Sequence, residues 1–139
     1  MKPEEIVKNH TLLLENFIEK LINDNLSKKT INTHLNNVYL FVNRFLPYYW
    51  DEINKLDIVD LMQSIDEYFS DWYIRKHLFS NENSIKSSLS SIKKFFKFLL
   101  EIGYIDKITY ELIVETIKEN KDEWLFIMKG KDDLDYYIY

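Results

Sequence analysis

Two stretches of the sequence combine cations with small hydrogen-bonding side chains at helical spacing. Between residues 27 and 46 these are Lys28, Lys29, Asn32, Thr33, Asn36, Asn43 and Arg44. Between residues 80 and 100 they are Lys86, Ser87, Ser90, Lys93, Lys94 and Lys97. The first stretch holds three bases and no acid, and the second four bases against Glu82 alone, so each carries a net +3. Lysine and arginine suit phosphate oxygens, and Asn, Ser and Thr bond to phosphates or base edges without steric bulk. An ordinary solvated helix face interleaves Glu with Lys four residues apart; here acids are nearly missing from both faces. The pattern points to a phosphate-rich partner. Plain solvation, or a compositional bias of the source genome, produces the same residues, because charge blocks alone are weak evidence of binding.

The rest of the chain has the opposite sign. Its net charge is −5 over 139 residues and its isoelectric point about 5.2. Taken whole, that charge speaks against a nucleic-acid partner, since phosphate binding needs positive charge. Taken by segment, residues 1–26 carry −2, residues 47–79 carry −4 and residues 101–139 carry −5. The positive charge is therefore concentrated in the two stretches above.

Other chemistries find little to work with. The absence of cysteine excludes disulfides, thiolate zinc sites and cysteine nucleophiles and suits a reducing compartment. His10, His34 and His77 lack a second ligand three or four residues away, so structural or surface roles are expected and no metal or cofactor is. His34 falls at the edge of an apolar stripe. Asp132, Asp133 and Asp135 lack the alternating pattern of a calcium loop and read as a solvated turn. The adjacent pairs Asp66-Glu67 and Asp122-Glu123 point to different helix faces and read as exposed. Two glycines cannot build a phosphate loop. No apolar run approaches the ~18 residues of a membrane span, and the acidic Met1-Lys2-Pro3-Glu4-Glu5 start is not a secretion signal. A cytoplasmic protein without membrane contact is expected.

The elements that must position the two cationic faces follow from periodicity. With two glycines and two prolines in the chain, long helices are expected. A first helix runs from about Pro3 to Asp24, with Leu13, Leu14, Phe17, Ile18, Leu21 and Ile22 at helical spacing. Ser27 caps a second, whose core face is Ile31, Leu35, Val38, Val42, Phe45 and Leu46 and which Pro47 ends. Residues 47–56 form a connection off any helix; its Tyr48, Tyr49 and Trp50 either pack over the bundle or form a contact surface. Asp57 caps a third helix carrying Ile58, Leu61, Met62, Ile65, Tyr68, Phe69 and Trp72, with a break near Ser80-Asn81-Glu82-Asn83. Asn83 or Ser84 opens a fourth, with Ile85, Leu89, Ile92, Phe95, Phe96, Leu99 and Leu100 inward. Gly103 lies just past its end, where a left-handed residue is wanted. Asp106 caps a fifth helix containing Ile108, Leu112, Ile113 and Ile117. The remainder, with Trp124 to Met128 and Leu134 to Tyr139, reads as a continued helix or a short hairpin. The fold expected is all-α: an orthogonal bundle of four core helices plus a C-terminal helical or hairpin extension.

At the two cationic helices the sequence resembles a known family. LSKKTINTHLNNVYLFVNRFL, from Leu26 to Leu46, resembles the second helix of the N-terminal SAM-like, or core-binding, domain of tyrosine recombinases and phage integrases. SIKSSLSSIKKFFKFLLEIGYID, from Ser84 to Asp106, is similar to that domain's fourth helix, and Leu56-Asp57-Ile58 with Leu61 to the start of its third. The resemblance spans about residues 5–106. It implies half of a clamp around duplex DNA, with the second and fourth helices crossing the major groove. The DNA-binding set is then Lys28, Lys29, Asn32, Thr33, Asn36, Arg44, Lys86, Ser87, Ser90, Lys93, Lys94 and Lys97. The charge map picks out the same two helices independently.

The sequence departs from the family where catalysis is concerned. The family's catalytic domain uses arginines, a lysine, histidines and a tyrosine nucleophile in a separate fold. Here Arg44 and Arg75 are the only arginines, and both fall in the helical region. Tyr136, Tyr137 and Tyr139 have no arginine pair beside them in sequence to hold a scissile phosphate. The chain is either a stand-alone relative or a piece of a longer one. The reading is a non-enzymatic domain at residues 1–106 that binds double-stranded DNA weakly and salt-sensitively, with residues 107–139 as an extension packed on it. The alternative is a protein-interaction module on the same scaffold, with another protein chain as partner.

Overall fold

The computed structural model describes the backbone of residues 4–53, 57–76 and 81–138, with side chains throughout except at residues 4, 51–53 and 131–138. Among the described residues the protein is all-α, with no strand. In chain order the helices are α1 (Glu4–Lys8), α2 (His10–Asn23), α3 (Lys28–Tyr39), α4 (Leu46–Ile53), α5 (Ile58–Glu67), α6 (Tyr73–Lys76), α7 (Glu82–Glu101) and α8 (Lys107–Ile138). Two π-helical stretches, Leu40–Phe45 and Tyr68–Trp72, join α3 to α4 and α5 to α6 without a loop.

Local chemistry sets most of the boundaries. The Ser27 hydroxyl accepts from the Thr30 amide at 3.1 Å and starts α3. Asp57 and Asp60 exchange side-chain and backbone bonds in a capping box at α5, satisfying two amides that a helix start leaves free. Asp106 accepts from the Thr109 amide at 2.7 Å, and that bond holds its carboxyl below the usual range. Gly103 adopts φ +82° after α7. A residue with a Cβ would be strained there.

Several expectations need correction. The first helix is broken at Asn9, whose φ of −111° and ψ of 20° leave the helical basin between α1 and α2. Ile22 is 56% exposed; the buried face of α2 is Leu13, Leu14, Phe17 and Leu21, and Ile22 lies past its edge at the last turn. The opening residue of α7 is Glu82, with Asn81 as the cap rather than Asn83 or Ser84; Ser84 instead closes a capping box back onto Asn81. The break expected near residue 80 falls partly outside the described residues, as does His77.

Pro47 does not end the second helix. The chain stays helical to Ile53, so Tyr48, Tyr49 and Trp50 lie on α4 and not in a connection. A proline inside a helix loses a hydrogen bond and presses on the carbonyl four residues back. The π-helical stretch resolves this: Leu46 donates five residues back to Phe41, so the turn widens just before the proline. Pro47 then sits in the first turn of α4, where a missing N–H is tolerated. Burial of Phe41, Val42, Phe45, Leu46 and Tyr49 rewards the continuation.

Aromatic rings from every layer meet in the core. The Tyr68 ring lies 5.0 Å from Phe41, 5.1 Å from Phe45 and 4.8 Å from Phe69. Phe17 of α2 meets Phe95 edge-on at 5.3 Å. Each such pair contributes roughly 0.5–1.5 kcal/mol beyond area burial. The terminal segment is one helix, which rules out the hairpin and places Asp132, Asp133 and Asp135 in a helical backbone rather than a turn. Its buried Ile113, Ile117, Trp124 and Met128 pack α8 against α5 and α7. The Trp124 indole donates to Asp66 at 2.8 Å. Asp66, read from sequence as simply exposed, is thus exposed yet engaged.

Candidate nucleic-acid interface

The two cationic helices, α3 and α7, pack directly on each other. Polar side chains line their seam. Asn37 donates to the Ser87 hydroxyl at 3.0 Å and to the Ser91 hydroxyl at 2.9 Å. Ser91 in turn donates to the Ser87 carbonyl at 3.1 Å. Nδ1 of His34 lies 2.8 Å from the Ser91 hydroxyl. Burial lowers the His34 pKa below its ordinary 6.5, and the nearby Lys94 ammonium lowers it further. Both effects disfavour a charge on the ring, and Lys94 lies near enough to the seam for its own charge to act on it.

The cationic faces flank this seam. On α3, Lys28, Lys29, Asn32, Thr33 and Asn36 are exposed. The Thr33 hydroxyl donates back to the Lys29 carbonyl at 3.0 Å, which leaves its oxygen as an acceptor. On α7, Lys86, Ser90, Lys93 and Lys97 are exposed, while Ser87 and Lys94 are half-buried at the edge facing α3. Lys97 also lies over the Tyr110 ring of α8 at 5.3 Å, an attraction that holds the cation in place. Among the described residues no carboxylate forms an ion pair with any of these lysines, whereas Lys20, Arg75 and Lys107 are paired with acids.

The structure divides the sequence-derived set. Eleven of the twelve residues lie on the adjacent faces of α3 and α7. Arg44 is exposed but sits in the π-helical stretch beyond α3, lining a cleft with Leu40, Tyr48, Trp72 and Lys76. Ser87 is partly committed to the seam. Asn37, His34 and Ser91 were not in the set. Their spacing, His34 and Asn37 three apart opposite Ser87 and Ser91 four apart, is the signal that could have found a polar seam.

Other chemistry stays sparse. Among the described residues no group of three or more His, Asp or Glu is placed to hold a metal ion. No described helix is long and apolar enough to cross a membrane. Arg75 is bound to Asp71 at 2.9 Å, and that acid raises its pKa. Tyr139 and the side chains of Tyr136 and Tyr137 lie outside the described residues.

The protein is thus of the class of all-α bundles in which two cationic helices pack on each other. The phage integrase N-terminal SAM-like domain matches residues 14–103, from α2 through α7 to Gly103, and the chain belongs to that family. The match does not extend over α8. Comparisons with curated proteins and with solved structures gave no match.

Proposed function

We propose that the chain is a non-catalytic duplex-DNA-binding domain that engages DNA through α3 and α7. The observation that carries this reading is the adjacency of the two cationic faces: both are largely exposed, they share one seam, and among the described residues no carboxylate pairs with their lysines. Lysines would hold phosphates, and Asn32, Thr33, Asn36 and Ser90 are short enough to let the backbone approach closely. Family membership supports the same partner. In this reading residues 1–106 are the binding unit of a cytoplasmic protein, and residues 107–139 form an acidic extension that repels DNA and keeps affinity weak.

The test is fluorescence anisotropy on a duplex at low salt. With roughly three to five phosphates engaged, log K should fall against log salt with a slope of about −3 to −4.5. Replacing Lys86, Lys93, Lys94 and Lys97 together with glutamate should abolish binding. The same change at Lys107, Lys118 and Lys121 should matter far less. No binding by the parent, or equal loss in both variants, overturns the reading and favours a protein-interaction module.

A further inference from the structure

The cleft around Arg44 belongs neither to the α3–α7 face nor to the core. It has a volume of about 510 Å³ and is lined by Leu40, Arg44, Tyr48, Trp72 and Lys76. That volume falls in the range of small-molecule sites. Both π-helical stretches reach it: one supplies Leu40 and Arg44, the other Trp72. Such stretches recur at functional sites because the widened turn re-aims side chains.

Its chemistry is of two kinds. Trp72 and Tyr48 offer aromatic surface. Trp72 is fixed from the core side by Tyr68, stacked at 5.5 Å, and by Phe45, edge-on at 5.4 Å. A ring held in this way can stack on a planar ligand with little loss of its own freedom. Arg44 and Lys76 bring two exposed cations to the same cleft. None of the described lining residues is an acid; of the carboxylates near Arg75, Asp71 pairs with it at 2.9 Å and Glu67 acts on it through its charge. Arg44 can grip an oxyanion with two parallel bonds, and Lys76 adds a point charge.

A flat aromatic ring joined to an oxyanion is the ligand that uses both halves. We propose that this cleft binds a nucleotide, with its base against Trp72 and Tyr48 and its phosphate on Arg44 and Lys76. The nucleotide comes either from solution or from an unpaired strand end, and the chemistry of recognition is the same for both.

The experiment is calorimetric titration of the full chain with dAMP, deoxyadenosine and inorganic phosphate. Saturable binding of dAMP is expected, with each half alone roughly tenfold weaker or worse, because each forfeits the other's contacts. R44A/K76A should lose dAMP binding by a similar factor, and Tyr48→Ala should weaken it without unfolding, since Tyr48 is exposed. No saturable dAMP binding at millimolar concentration overturns the proposal, and so does phosphate binding as tightly as dAMP, or an equal loss in the α7 lysine variant. A duplex with a single-stranded overhang separates the sources: tighter binding than to the blunt duplex, abolished by K76A, assigns the strand end, and its absence assigns the free nucleotide. Lys76 and Tyr48 lie outside the proposed duplex face, so failure here leaves that reading standing, and the reverse also holds.

Discussion

Helix α7 is held by two different kinds of contact. Toward α3 it meets a polar seam of His34, Asn37, Ser87 and Ser91. On its other side it takes part in an apolar junction with α8, where Ile113, Ile117, Trp124 and Met128 are buried and Trp124 lies 5.1 Å from Phe69. The apolar junction gains free energy in proportion to area removed from water, without the directionality of a hydrogen bond. The polar seam gains little net energy per bond, but each bond works in one register only. The difference teaches a division of labour. Stability comes from the side carrying α8, and the relative placement of the two cationic helices comes from the other.

Substitutions can break or sharpen that contrast. Trp124→Ala should cost about 3–5 kcal/mol, the usual range for emptying a large aromatic site, read by urea denaturation. A cost near zero would remove α8 from the stabilising side. Gly103→Ala, at the turn between the two helices, should cost roughly 1–2 kcal/mol from its left-handed backbone alone, since a Cβ there meets nothing within 4 Å. A loss no larger than a surface substitution would mean the turn relaxes. Asn37→Ala should cost only about 1 kcal/mol yet weaken duplex binding by more than its effect on helix content, measured by anisotropy beside circular dichroism. Unchanged binding would show that the seam does not set the interface.

The smallest effect is in the pH dependence. The folded pKa of His34 lies below its ordinary 6.5, so the unfolded chain takes up the proton first as pH falls. Stability from this residue is therefore full above about 6.5, declines as pH drops below it, and levels off beneath the lowered folded value. His34→Gln should flatten that part of the stability profile, and an unaltered profile would clear the seam of any role in it.

What was legible in the sequence was local. Ser27, Asp57 and Asp106 cap helices where their side chains reach an amide three residues on, and Gly103 stops one because only its backbone tolerates the turn. The cationic faces were legible too, because they lie within single helices. Pro47 misled because the burial of Phe41, Phe45 and Tyr49 is a tertiary gain that outweighs a local preference. Each half of the seam carried a signal in its spacing, but the pairing of the halves was not legible, since His34 and Ser91 are 57 residues apart; nor was the cleft, where Arg44 meets Trp72 and Lys76 only once the bundle has closed.

The three tryptophans have an optical consequence. Trp124 is fully buried, Trp50 half-buried with its buried indole N–H lacking a hydrogen-bond partner among the described residues, and Trp72 part of an open cleft. Their emission should differ in colour and in access to a dissolved quencher: Trp124 bluest and most shielded, Trp72 reddest and most readily quenched. The chain thus carries native fluorophores at separate places, one reporting whether α8 is seated and another whether the cleft is filled.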